Sequence, residues 1–340
     1  MRYPDFLKEN GTIAYIAPAL GCTTEPYSSC LDNAIRKFQK MGYKVVEGPN
    51  TRLDKGIGIS NAPKLCAEEL NRYYMSKDND VLFTTGGGEL MCEIVPYLDF
   101  EAISRARPKW FMGYSDNTNF TFLSALLADT ASIYGLCGPT FGMDEWHQSL
   151  YDHMALLKGE KFKFGNYPAW ELEGIKSQEN PYAGYNLDHK SSVRAFPEEK
   201  TNISGRLIGG CLDCLANLCG TKFDKVTDFA EKYRNDGIIW FMESCDLNIM
   251  SVRRSLWTLK NAGWFKYVRG FLFGRPFIYG GEMFGLDYYT AVKDILEEFH
   301  VPIIMDLDIG HLPPSMPVVC GAMAQVEYMG GEFSIEYIMN

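Results

Sequence analysis

Positive charge is in short supply: 33 Lys and Arg face 43 Asp and Glu, a formal net charge of −10 over 340 residues. Nucleic acid or an anionic membrane surface would be repelled by that balance, so neither is expected as a main partner. No apolar run approaches the roughly 20 residues needed to cross a bilayer. The first twenty residues carry Asp5, Lys8 and Glu9 where a signal peptide would place its apolar core. The sequence has no G-x-G-x-x-G, no Lys-Ser/Thr after its glycine run and no H-E-x-x-H, which removes the usual warrants for a dinucleotide fold, a phosphate-binding loop and a zinc protease. Histidine is scarce, with five in the chain, so imidazole chemistry has few places to reside. Internal repeats and low-complexity tracts are absent.

What is present belongs to an ordinary globular enzyme: 46% hydrophobic and 22% charged residues. The length exceeds what one core usually supports, so two domains are expected. The ten cysteines are scattered, several inside apolar runs (Cys66, Cys92, Cys137, Cys320), which points to reduced thiols and a cytoplasmic setting. Cys211, Cys214 and Cys219 lie at a suggestive spacing, but in a helical pattern without a second ligand pair, so no metal is expected there.

Strand-like runs alternate with helix-like ones through the first 140 residues: TIAYIA (12–17), KVVEG (44–48), DVLFTT (80–85), WFMGY (110–114) and SIYGLCGP (132–139). Between them, apolar residues recur at helical spacing, as in Leu31, Ala34, Ile35 and Phe38 before Gly42. This rhythm predicts an α/β protein with an N-terminal doubly wound parallel sheet of flavodoxin or class I amidotransferase type over 1–160. Residues 161–204 break it with Gly, Pro, Asn and aromatics, and read as a crossing segment. A C-terminal mixed α/β domain is expected over 205–340, ending in a hairpin around Gly330-Gly331.

In doubly wound sheets ligands lie beyond the carboxyl ends of the strands. Ser115, in Gly113-Tyr114-Ser115-Asp116, sits at such a strand-to-helix corner, where a hydroxyl is exposed above the sheet. Ser115 or Asp116 would equally serve as a helix cap. Gly86-Gly87-Gly88 ends another strand, where backbone N–H groups can approach a ligand or simply make a tight turn. Among the histidines, His311 stands out, because it follows a strand and precedes Leu312-Pro313-Pro314. Glu243 in WFMES fits an acid orienting that base; Asp246, Asp306 and Asp308 compete, and spacing alone does not exclude them. On these residues a serine hydrolase, a non-hydrolytic two-domain binding protein and an amidotransferase-like enzyme all remain open, although no cysteine occupies the corner held by Ser115.

Taken together, GYSD around Ser115, MES around Glu243 and DIGH around His311 resemble the LD-carboxypeptidase family, including its microcin C self-immunity branch. Gly87-Gly88 with Leu98-Asp99, the run Gly205-Arg206-Leu207-Ile208-Gly209-Gly210, and Gly274-Arg275-Pro276 match in order, so the resemblance spans residue 12 to about 325. It implies a Ser115–His311–Glu243 triad, a homodimer, and no metal or cofactor. With the corner geometry, it also implies an oxyanion hole of the Gly88 and Asp116 amides, with Gly87 beside the substrate. The substrate would be a murein tetrapeptide or a peptidyl nucleotide. Cys211 departs from the Asn often found after the second glycine pair, and the long crossing segment is more like the immunity branch. A terminal carboxylate needs a cation, for which Arg206 and Arg275, beside glycines at junctions, are the candidates. Trp170, with Tyr167, Tyr182 and Tyr185, supplies flat groups in the crossing segment on which a nucleobase could stack.

Overall fold

The computed structural model describes residues 1–197 and 200–339. Strands β1 (Thr12–Ile16), β2 (Lys44–Glu47), β3 (Val81–Thr84), β4 (Trp110–Gly113) and β5 (Ser132–Tyr134) lie parallel in the order β2-β1-β3-β4-β5. Helices α1 (Tyr27–Lys40), α2 (Pro63–Met75), α3 (Phe100–Arg105) and α4 (Thr118–Ala128) make the crossovers, and α5 (Gln148–Leu157) follows β5. Parallel strands covered on both faces must be apolar throughout, and every residue of β3 and β4 is buried. Strand order reverses between β1 and β3, which opens a crevice at their carboxyl ends.

Five further strands complete the central part of the second sheet: β10 (Thr201–Cys211), β11 (Ile238–Glu243), β12 (Val268–Gly274) and β15 (Ile303–Leu307) run parallel, and β17 (Met323–Met329) runs antiparallel to β10. Outside these lie β18 (Glu332–Ile338) and β6 (Lys163–Gly165) at one edge and β9 (Arg194–Phe196) at the other. Helices α6 (Leu212–Leu218), α7 (Val226–Lys232), α8 (Ile249–Asn261) and α9 (Tyr288–Leu296) cover this sheet. Two-residue ribbons pair β7 (Ala169–Trp170) with β8 (His189–Lys190), and β13 (Glu282–Met283) with β14 (Leu286–Asp287). The expected terminal hairpin is β17–β18, whose two turn glycines have φ of +60° and +89°, as a type I′ turn requires.

The chain departs from its sequence pattern in three places. SIYGLCGP continues as a strand only to Tyr134: the Leu136 N–H leaves the ladder for His153 Nε2 at 3.1 Å, and Pro139 then sits in a 3₁₀ turn over Gly138–Gly142. Residues 161–204 are more than a crossing, since β6 and β9 are both edge strands of the second sheet. The segment β16 (Val318–Cys320) returns to the first sheet, antiparallel to β5, before Gly321 (φ +92°) turns the chain into β17. Both sheets therefore cross the limits that composition suggested at 160 and 204.

Candidate active site

The carboxyl ends of β3, β4, β5, β11 and β15 converge on one cleft. The backbone turns sharply after β4: Ser115 has φ of +63°, a conformation costly for a residue with a Cβ, before a 3₁₀ turn leads into α4. That strained corner points the hydroxyl away from the helix. Ser115 Oγ lies 2.9 Å from His311 Nε2, and His311 Nδ1 lies 2.7 Å from Glu243 Oε2. Glu243 ends β11 and is fully buried. Its second oxygen, Oε1, accepts from the Tyr134 hydroxyl at 2.5 Å, and the same hydroxyl oxygen accepts the Ser115 backbone N–H at 3.0 Å.

His311 stands on a loop closed by the Met316 N–H donating to the Asp308 carbonyl at 2.8 Å. Gly310 just before it has φ of +106°, and a Cβ there would lie 2.5 Å from Glu243 Oε2, so only glycine lets the loop cross the carboxylate. Burial by itself would lower the His311 pKa. The Glu243 carboxylate and the Cys245 thiol oppose burial and hold it well above its ordinary value.

Gly87 lies against the Ser115 end of this chain of hydrogen bonds: a Cβ on it would be 3.0 Å from Ser115 Oγ. Gly88 follows, facing the Asp116 carboxylate. Asp116 Oδ2 accepts the Met91 N–H at 2.7 Å and Oδ1 accepts from Asn119 at 2.9 Å, so its side chain ties the segment after the glycine loop to the serine corner. Burial, opposed by these hydrogen bonds, pushes Asp116 up to about 6. Beside His311 opens a cleft of about 410 Å³, walled by Tyr114, Leu136, Tyr185, Phe277 and Leu312. A second hollow of about 280 Å³ runs along Gly86, Gly87 and Leu20, and shares Tyr27 and Tyr114 with the first.

The competing candidates are engaged elsewhere. His153 is buried, receives the Leu136 N–H, and is pushed down to about 4 by burial. Asp306 accepts from Tyr289 and Asp308 holds the Tyr167 N–H, while Asp246 is exposed and the His311 Nδ1 partner is Glu243. Glu243 is therefore the acid on His311.

Three expected substrate-binding residues lie away from the cleft. Arg206 donates to Asp236 at 2.9 Å and to the Gly321 carbonyl at 2.7 Å, and lies over the Tyr233 ring. It is five residues before Cys211, which pairs with Glu243, so it stands about 16 Å back along its strand. Arg275 is buried against Asp308 and the Asp306 carbonyl. Trp170 is 3% exposed, with the His189 and Tyr279 rings at 4.7 Å and the Arg275 guanidinium at 4.8 Å. Its aromatic surface is spent on packing, so the stacking expected of it is not available. The cleft-lining residues of that segment are instead Glu171, Leu172, Ile175, Lys176 and Tyr185.

Arg275 accordingly gives a stability prediction. Arg275→Met should lower unfolding free energy by about 3–5 kcal/mol, because it strands the Asp308 carboxylate in a dry site. Burial already pushes Asp308 up to about 6. The deficit, read by urea denaturation, should be smaller at pH 5, where the carboxyl can take a proton, than at pH 8. Equal deficits at both pH values would show that the charge is not the cause.

Sequence reasoning missed Tyr134, Cys245 and Lys176. Tyr134 stands at the carboxyl end of its strand, as Ser115 and Glu243 stand at or just past the ends of theirs, but the apolar run to 139 hid that end in the sequence. Lys176 is a cleft-lining cation whose ammonium donates to the Pro181 and Ala183 carbonyls at 2.9 and 3.1 Å. Nothing in its local sequence marked it.

Comparison with known proteins agrees in both halves. Residues 13–135 match the LD-carboxypeptidase N-terminal domain and residues 204–326 the C-terminal domain of that family. The microcin C7 self-immunity protein MccF of Escherichia coli is 25% identical over 306 residues, covering 88% of this chain and 85% of that protein. A Vibrio cholerae protein named as a carboxypeptidase is 24% identical, covering 99% of this chain and 98% of its own. MccF in complex with glutamyl sulfamoyl guanosine superimposes with a TM-score of 0.82 at 22% identity, covering 98% of each chain. An MccF-like protein from Bacillus anthracis gives 0.84 at 20% identity over the whole of both chains. At such identities the superpositions establish a shared fold.

Proposed function

The chain belongs to the LD-carboxypeptidase family, and from that premise we propose that it is a serine-type hydrolase cleaving an amide bond near a free carboxylate. The observation that carries this reading is the unbroken hydrogen-bond chain from Ser115 Oγ through His311 to Glu243 at the mouth of a cleft. Ser115 Oγ attacks the carbonyl carbon while His311 Nε2 takes its proton. Glu243 keeps the Nδ1 proton on the far side of the ring and stabilises the imidazolium. The tetrahedral oxyanion is held by the Gly88 and Asp116 amides, each contact worth ~3 kcal/mol in such sites. Collapse breaks the C–N bond, and His311 returns the proton to the leaving amine. Water, deprotonated by the same imidazole, then releases the acyl group.

The substrate is a murein tetrapeptide or a peptidyl nucleotide of the microcin C kind. The aromatic cleft wall supports the nucleotide, since Tyr27 and Phe277 are each more than half exposed and offer faces to a planar base. MccF has been captured with glutamyl sulfamoyl guanosine, and a point mutant of it with adenosine monophosphate. Incubation with each substrate, read by mass spectrometry, tests the proposal: the expected result is loss of the carboxyl-terminal amino acid from the tetrapeptide or release of the aminoacyl nucleotide. Intact substrate in both, with binding preserved, would make the chain a binding protein.

The pH dependence follows from the raised His311 pKa. The imidazole must be neutral to act as base, so kcat/KM should rise with pH through a midpoint above the ordinary imidazole value of about 6.5. A profile flat from about pH 5 to 9 would place the base elsewhere.

A further inference from the structure

Tyr134 stands where both halves of the proposed machinery meet. Its ring is 1% exposed, with Phe241 at 5.6 Å and Tyr114 edge-on at 6.4 Å. The direction of its two hydrogen bonds is unambiguous. The Ser115 N–H can only donate, so the tyrosine oxygen accepts it, and the hydroxyl proton is left for Glu243 Oε1. The first bond holds the amide of the residue with φ of +63°. The second reaches from the first sheet to the end of β11 in the second sheet. The strand that follows the His311 loop also comes to Tyr134, because Val318 is its register partner in β16. Ser115 and Glu243 are thus both referred to one hydroxyl, and the backbone of the same residue pairs with the strand leading from His311.

We propose that Tyr134 is a positioning residue for this reaction: its hydroxyl sets the serine corner against the Glu243 carboxylate, and by sharing a proton with that carboxylate it tunes the basicity of His311. This rests on the serine-hydrolase reading above. A donor on Oε1 draws electron density from the carboxylate and weakens its pull on the imidazolium at Oε2. Without the donor, the imidazolium is favoured and the base stays protonated to higher pH. The other titratable groups facing the Glu243–His311 pair are Tyr114, Cys137, Cys211, Cys214, Cys245 and Tyr288. Burial raises Tyr114, Cys137 and Tyr288, and Cys211 is raised by its bond to Cys214 and by burial. Buried Cys214 is also raised, against that same bond. These five stay neutral at working pH and Cys245 is untouched by a change at position 134, so what Tyr134→Phe removes is the donor on the carboxylate.

The test uses the whole chain with whichever substrate it turns over. Tyr134→Phe should lower kcat by about tenfold to a hundredfold with KM little changed, since Tyr134 is buried and lines neither hollow. It should also move the midpoint of the rising kcat/KM limb upward by about one pH unit. A structural role alone would lower the melting temperature without moving that midpoint. If Tyr134→Phe does not fold, 3-fluorotyrosine placed at position 134 keeps the hydroxyl and makes it a stronger donor, so the midpoint should move downward. An unmoved midpoint in the folded variants, or a shift of the same sign in both, overturns the assignment. Ser115→Ala in the same assay separates the failures: an inactive Ser115→Ala beside an unaltered Tyr134→Phe defeats the tyrosine role alone, whereas an active Ser115→Ala defeats the serine reading and this inference with it.

Discussion

Replacing Ser115 by alanine is expected to lower kcat by about a millionfold, the loss typical of removing the nucleophile from a coupled serine triad. The oxygen that lies 2.9 Å from His311 Nε2 is the only atom deleted. Gly87, whose Cβ position lies 3.0 Å from that hydroxyl, has no side chain with which to replace it. The fold should survive. Ser115 is only half-buried, its amide remains bonded to Tyr134, and alanine bears the same cost at φ of +63° as serine does. A stability change below ~1 kcal/mol is expected, so the melting curve should nearly superimpose on the parent. Turnover within tenfold of the parent in such a folded variant would remove the serine mechanism altogether.

Glu243→Gln should cost about 10⁴ in kcat, for a reason visible in the two acceptors of the carboxylate. Oε2 accepts from His311 Nδ1 and Oε1 accepts from Tyr134. Glutamine has one carbonyl oxygen, so it can satisfy one of those donors and must present an N–H₂ to the other. Facing His311 with N–H₂ forces the ring proton onto Nε2, where it blocks acceptance of the Ser115 proton. Facing Tyr134 instead breaks the link to the serine corner. Removing the negative charge also removes the main influence holding the His311 pKa up, so the rising limb of kcat/KM should move to lower pH. Nitrogen-15 NMR of the imidazole reads the tautomer directly. A Glu243→Gln protein with parental kcat, and with the ring proton still on Nδ1, would show that Glu243 does not orient the base.

Much of the architecture could be read from periodicity. Strand runs followed by helical spacing placed β1 to β5 within a residue or two of their observed bounds, except at the end of the last one, where the Leu136 N–H goes to His153. Glycine turns at 42 and at 330–331 were equally visible, because positive φ leaves few residues to choose from. The failures share one cause. Arg206 and Arg275 were picked as cations beside glycines and Trp170 for the aromatic density around it, and each suits an internal role just as well: an ion pair, a buried carboxylate, an aromatic stack. Local sequence holds no sign of which role applies, since Asp236, Asp308 and Tyr279 are brought to them by strands and loops far along the chain.

By itself, then, the amino-acid order determined which residues stand at the carboxyl ends of buried parallel strands, because burial on two faces demands an unbroken apolar run and its end is marked by the first polar or glycine residue. The positions of Ser115, His311 and Glu243 all follow from that rule, whereas Tyr134 was hidden inside a run that reads as strand to 139. Only the tertiary structure decided which of four acids meets the imidazole and that a tyrosine joins them. His311 contacts Glu243 across 68 positions and Ser115 across 196, and Tyr134 reaches Glu243 across 109. Apolar patterning repeats every two or 3.6 residues and carries no information at such separations. A buried polar group must find its partner wherever sheet order and the return of β16 deliver one, and that pairing is settled when the two sheets close on each other.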